Sequence, residues 1–479
     1  MTDPFRLDAA AGQLLRAGKP AEALALLRSR PAPTQAFGLS SALELEALIA
    51  LGRRREARAA LDAALTVKEP TPDALDALAF FARQLELHDV SNRLYQRTVE
   101  LAPLDPRYWF NLATSERSLG RLEAAADACN RALALDPDHR AALLLRSEVS
   151  RATASANHVD DLKARLERRL PPGDEIVFAY ALGKELHELG RYDEAFGAFA
   201  RGAAARRRAL QYDVRQDELK LQRIAAAFSH APPQPPPLPP GRHIFIVGLP
   251  RSGTTLTERI LGGLPNVRSN NETDNVSTAL MRWTPQGPDD VFERAARADF
   301  VRMGQDYEAL ADLDDFKGKI IEKLPFNFLY VGAILRALPD ASVVWLRRHP
   351  IDSCFAMFRT LFGAAYPFSY DFEELARYFA AYERLMAHWV NLHPHRILPV
   401  EYEQLVAAPE AIAPQLAKHC GLPWDASALE ISRNRSASLT ASAAQVRGGI
   451  YQSSSGIWRS YGAHLQPLAD LLARQGVTL

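Results

Sequence analysis

Residues 244–261, IFIVGLPRSGTTLTERIL, constrain this 479-residue chain more tightly than any other stretch. Ile244, Phe245, Ile246 and Val247 predict a buried strand, a Gly/Pro/Ser-rich turn follows, and from Thr254 the apolar spacing is helical. A strand, a glycine loop and a helix in that order form an anion cradle. Gly248 and Gly253 permit tight turns that aim successive N–H groups and the helix N-terminus at one phosphate, while Arg251, Ser252, Thr254 and Thr255 add charge and hydroxyl donors. Against the nucleotide-triphosphatase pattern G-x-x-x-x-G-K-[ST], Gly248–Thr255 fits except that Thr254 stands in the lysine position. A triphosphate loop needs that lysine at the β/γ-phosphates, whereas a loop gripping one 5′-phosphate can do without it. The other reading is a glycine-containing strand-to-helix turn with no ligand.

PRSGTTL resembles the 5′-phosphosulfate loop of sulfotransferases that use 3′-phosphoadenosine 5′-phosphosulfate (PAPS), in the form found in the tyrosylprotein-sulfotransferase branch. Further segments extend the resemblance. WLRRHPIDSCFAMF (345–358) is similar to the family's 3′-phosphate motif, R-x-P-x-D and a helix with a serine. The resemblance assigns Arg348 to that phosphate through charge-assisted hydrogen bonds. The usual serine is Ala356 here; Ser353, three residues earlier on the same helix face, is the candidate substitute. The other reading pairs Arg347 and Arg348 with surface carboxylates and makes Asp352 a helix cap.

Glu272, in SNNETDN (269–275), matches the second glutamate of the family's E-E-T segment, which implies a general base toward the acceptor hydroxyl. Lys323, in EKLPFNFL, matches the catalytic lysine, where a fixed ammonium stabilises charge growing on the departing phosphate. In TASAAQVRGGIYQSSSGIWRSYG (440–462), Ser442 and Gln445 match an S-x-x-Q-V element, and Gly456, Trp458 and Arg459 a G-x-W-[KR] element. There the resemblance implies support of the leaving group by Ser442 and nucleotide contacts by Gln445 and Arg447, while Gln452 stands where related chains are often basic. His243 and His349 do not fall where a histidine base is expected.

The N-terminal half has a different grammar. Gly18, Gly52 and Gly120 share one phase of a 34-residue spacing, and Gly190 follows Gly120 by two periods and two residues. Units such as Trp109, Leu112, Ala113, Leu119-Gly120-Arg121, Ala125, Ala132-Leu133 and Pro137 resemble tetratricopeptide (TPR) repeats. About six units are expected, with those near 75–90 and 145–165 degenerate. Either a structural spacer or a peptide-binding groove fits this pattern. Arg206–Arg208 reads as a solvated helix face. APPQPPPLPP (231–240), with seven prolines, reads as an extended spacer.

Beyond Arg242 the strands predicted are 244–247, 319–322, 342–346 and 397–400, separated by helical segments 291–311, 327–337, 352–362 and 371–392. That alternation implies a parallel sheet covered on both faces. The phosphate loop, Lys323, Arg347-Arg348 and Glu401-Tyr402 each follow a predicted strand, where ligands of such sheets sit. The expected fold is multidomain: an all-α TPR-like solenoid (1–229), a Pro-rich linker (230–241) and an α/β P-loop-like sulfotransferase domain with a central parallel sheet (242–479).

With 57 basic and 57 acidic residues, the chain offers no global charge for nucleic acid or an anionic membrane. Cys129, Cys354 and Cys420 form neither a disulfide nor a zinc pattern. Without a signal peptide or membrane-length apolar run, a cytoplasmic location is expected, unlike the membrane-anchored tyrosylprotein sulfotransferases. The implied donor is PAPS with no metal, and the implied acceptor a hydroxyl, such as a protein or peptide tyrosine docked by the TPR array, with a sugar or small phenol left open. Two competing classes are a TPR scaffold with a decayed transferase half, suggested by Ala356 and Gln452, and a P-loop nucleotide kinase, opposed by Thr254.

Overall fold

The computed structural model describes residues 4–29, 39–66, 70–230, 238–312, 314–363, 365–431, 450 and 455–479. Ser442, Gln445, Arg447 and Gln452 lie outside the described residues, as do 231–237 of the Pro-rich stretch. Two compact units form, one from Met1–Arg146 with Ala309–Phe316, the other from Ser147–Glu308 with Lys317–Leu479.

The first unit is a run of antiparallel helix pairs, including Pro72–Gln84 with His88–Leu101 and Pro106–Ser118 with Leu122–Leu135. Each pair turns on one left-handed residue: Gly18 (φ 70°), Gly52 (67°), Glu86 (63°) and Gly120 (73°). Glu86 explains why the repeat near 75–90 looks degenerate in sequence yet is fully formed. A glutamate stands at the glycine phase and still takes the left-handed conformation, and the helix closes with Leu87 N–H donating to Ala82 O at 2.8 Å, as Arg53 donates to Leu48 and Arg121 to Glu116.

The second unit centres on a five-stranded sheet of order β2-β3-β1-β4-β5, with β1 His243–Gly248, β2 Val267–Ser269, β3 Lys319–Glu322, β4 Ser342–Arg347 and β5 Ile397–Glu401. Every pairing is parallel. β1 is wholly buried, as its run of apolar residues predicts for a central parallel strand. The register sets Gly248 beside Leu346 and Arg347 beside Glu401, so the carboxyl ends of β1, β3, β4 and β5 open on one edge. The short β2 carries no periodic signal and is absent from the sequence expectation. Segment 291–311 is two helices, Val291–Ala295 and Phe300–Ala311, and 327–337 begins as a 3-10 turn, Pro325–Tyr330, because Pro325 opens it.

The same unit contains the helices Pro172–Glu188, Tyr192–Arg208 and Val214–Ala227. The first two approach closely because Gly183 and Gly202 have no Cβ: one added at Gly183 would lie 2.6 Å from the Phe199 ring. Arg207 corrects the expected solvated face, since its guanidinium pairs with Glu374 through two 2.7 Å bonds. Cys129, Cys354 and Cys420 are all buried. Among the described residues no helix is long and apolar enough to cross a membrane.

Candidate active site

The loop 248–255 leaves β1 at Gly248, where an added Cβ would lie 2.7 Å from Ser252 Oγ and 2.9 Å from Leu346 O. Arg251 (φ 67°) and Gly253 (φ 103°) are both left-handed, which folds the loop back onto the Thr254–Leu261 helix. Gly253 is the N-cap and supplies no side-chain acceptor to the first turn. Ser252 Oγ is buried without a hydrogen-bond partner among the described residues. A buried hydroxyl in need of a partner beside an uncapped helix N-terminus fits a phosphate or sulfate group.

Arg348 follows β4, mostly buried, and its Nη1 donates to Arg251 O at 2.9 Å. Its guanidinium lies over the Tyr402 ring at 5.1 Å, and the same ring would be 2.3 Å from a Cβ on Gly253. Tyr402 thus joins the loop to the Arg348 clamp. Its position directly after β5 was the available signal for a residue given no role in the sequence reading. Arg347 does pair with carboxylates, at 2.8 Å to Glu401 and 3.1 Å to Glu383.

Asp352 departs from expectation. It is buried, 4.0 Å from Arg348 Nη2, and accepts from Gly456 N at 2.6 Å and Trp458 N at 3.2 Å instead of capping its own helix, Pro350–Phe358. Backbone amides a hundred residues away compete better for this carboxylate than the local helix turn does. Trp458 stacks on His349, with ring centroids 5.2 Å apart and planes at 16°. Ser353 and Ala356 are buried on the same helix.

Lys323 is fully buried at the end of β3. The β2–β3 ladder continues past its last strand residue: Asn270 N donates to Ile321 O at 2.8 Å and Lys323 N to Asn271 O at 2.9 Å. Asn271, left-handed at φ 57°, then turns the chain so that Glu272 bonds Lys323 Nζ. Glu258, from the helix after the phosphate loop, lies 3.7 Å from the same ammonium and is bonded by Ser269 Oγ. Sequence reasoning missed Glu258, whose only signal was its place one turn beyond the loop. The two residues expected to act on opposite sides of a transferring group are therefore in contact, with a carboxylate partly open to solvent and an ammonium behind it.

Behind this pair, Glu322 is completely buried and accepts from Tyr307 Oη at 2.9 Å and Asn327 Nδ2 at 3.2 Å; burial raises its carboxyl to about 7. His243 faces away, at the far end of β1, where Nε2 meets Glu308 Oε1 at 2.5 Å.

The loop 248–255, Arg348 bonded to it and the buried Lys323 with its half-exposed partner Glu272 gather at the carboxyl edge of one parallel sheet. Residues 243–426 match the family described as Sulfotransferase family, and residues 82–140 match a Tetratricopeptide repeat. The chain therefore couples a sulfotransferase domain to TPR repeats. It is 30% identical over 374 residues to an uncharacterized protein of Aquifex aeolicus (strain VF5), covering 74% of this chain and 48% of that one. Protein-tyrosine sulfotransferase 2 of Gallus gallus is 28% identical over 196 residues, 38% of this chain and 51% of that protein. The chain thus spans about half the length of these relatives. Among solved structures, the sulfotransferase domain from the curacin biosynthetic pathway aligns at 18% identity with a TM-score of 0.37, over 51% of this chain and 100% of that domain.

Proposed function

We propose that this protein transfers a sulfuryl group from PAPS to a hydroxyl, with a protein or peptide tyrosine as acceptor. The observation that carries the reading is the Glu272–Lys323 contact beside a phosphate loop that is itself bonded to Arg348. In this reading Arg251, Ser252, Gly253, Thr254 and Thr255 hold the 5′-phosphosulfate, and Arg348 with Ser353 holds the 3′-phosphate. Gln445 and Arg447 belong to the nucleotide contacts and Ser442 to the leaving group. Glu272 takes the acceptor's proton as the acceptor oxygen bonds to sulfur. The sulfur–oxygen bond to the phosphate breaks, and Lys323 stabilises the charge left on that phosphate.

Tetratricopeptide repeats and the tyrosine-sulfotransferase relatives support a protein acceptor docked by residues 1–229, with 242–479 doing the chemistry. The buried thiols of Cys354 and Cys420 support a reducing, cytoplasmic setting. The test is calorimetric titration with 3′-phosphoadenosine 5′-phosphate, AMP and ATP. Preference for the 3′-phosphorylated nucleotide, lost in Arg348→Ala, is expected. Binding no tighter than AMP refutes the donor and favours a scaffold.

A further inference from the structure

We propose that the helix pair Pro172–Glu188 and Tyr192–Arg208 positions the segment Gly456–Tyr461 beside Arg348 of the proposed donor site, through a hydrogen bond from His187 to Tyr461. This extends the donor reading above. The segment Gly456–Tyr461 is held at two places. At one end Asp352, next to the Arg348 clamp, accepts the amides of Gly456 and Trp458. At the other, Tyr461 is buried, its ring edge-on to Phe355 at 4.4 Å and its Oη 2.8 Å from His187 Nδ1.

The direction of that bond follows from its neighbour. Arg359 Nη1 lies 2.8 Å from His187 Nε2, and a guanidinium can only donate. Nε2 is therefore the acceptor, the proton sits on Nδ1, and Nδ1–H donates to Tyr461 Oη. Burial, with the charges of Arg359 and Lys184, pushes the imidazole down to about 3, so this neutral tautomer persists at physiological pH.

Two further contacts join the same elements. Phe196 stacks on His464 at 4.5 Å, and His464 Nε2 meets Asp193 Oδ1 at 2.8 Å. Phe355 and Asp352 lie on one helix, so a shift of Tyr461 acts on the helix that also holds the Asp352 anchor. His187 and Tyr461 touch no substrate in this scheme; both are positioning residues.

The experiment compares wild type with Tyr461→Phe, which keeps the ring and deletes the hydroxyl, and with His187→Leu and His187→Asn. The asparagine amide reproduces the Nδ1 donor. Hydrogen exchange of the Gly456 and Trp458 amides is read without ligand, and 3′-phosphoadenosine 5′-phosphate affinity by calorimetry. Exchange about tenfold faster in Tyr461→Phe and His187→Leu, affinity weaker by about tenfold, and recovery of both in His187→Asn are expected. Unchanged exchange in both disruptive variants overturns the positioning. Faster exchange with unchanged affinity overturns its coupling to the donor site. A wild type that binds no 3′-phosphorylated nucleotide overturns the donor reading and the affinity half of this proposal, while the exchange result still decides the positioning.

Discussion

Replacing Lys323 by methionine keeps a long side chain and deletes a charge that is fully buried between two carboxylates. Two consequences separate cleanly. Glu258, almost wholly buried, keeps Ser269 Oγ but loses its cation. Removing one partner of a buried ion pair costs about 3 kcal/mol of stability. Independently, loss of a preorganised donor to transition-state charge lowers kcat by roughly 10²–10³, about 3–4 kcal/mol. The double variant Lys323→Met/Glu258→Gln discriminates between them. Neutralising Glu258 removes most of the buried charge, so the urea midpoint recovers toward wild type while kcat for sulfuryl transfer stays low. Affinity for 3′-phosphoadenosine 5′-phosphate serves as a check that the phosphate loop is intact. Recovery of kcat together with stability would refute a direct role for the ammonium, and a kcat within about threefold of wild type in the single variant would refute it outright.

Glu272→Gln is expected to lower kcat by about 10²–10⁴ with nucleotide affinity preserved, because a neutral amide cannot take the acceptor proton; an unchanged kcat in steady-state assays removes Glu272 as base. Gly253→Ala places a Cβ 2.3 Å from Tyr402 at φ 103° and should abolish nucleotide binding in the same titrations. Gly190→Ala, also left-handed but facing open space, should cost only about 1 kcal/mol by chemical denaturation, and a larger loss would point to contacts beyond backbone strain. Burial lifts the Glu322 carboxyl from 4.5 to about 7, so the folded state holds a proton that the unfolded chain releases first. Its contribution to stability is complete below about pH 4.5 and falls away as pH rises through about 7, on the order of 3 kcal/mol. Glu322→Gln should flatten the stability–pH curve over that interval; a curve with the wild-type slope contradicts the assignment.

Local grammar made much of this protein legible. The loop 248–255 announces itself because its glycines, hydroxyls and arginine are contiguous and flanked by an apolar strand and a helix. The same holds for β1, β3, β4 and β5, whose short apolar runs sit between helical patterns, and for Lys323 and Arg348 as strand-end cations. The helix pairs follow from glycines that recur in phase, because a left-handed turn selects that residue. Glu86 shows the limit of such a rule: tertiary packing holds a non-glycine residue in the glycine's conformation, and the repeat survives there without its marker.

What tertiary structure decided are pairings between residues whose partners lie far along the chain. Three residues of β2 are too few to show a period, yet their ladder with β3 and the turn at Asn271 bring Glu272 to Lys323, fifty-one positions away. Asp352 has the spacing of a helix-cap residue and instead binds amides at 456 and 458, since a buried carboxylate is satisfied by whichever donors the fold delivers. His187 and Tyr461 stand 274 positions apart. Composition and periodicity specify which face of each element is buried, but hydrogen-bond partners are set by where the folded backbone places donors and acceptors, and that placement has no local signature.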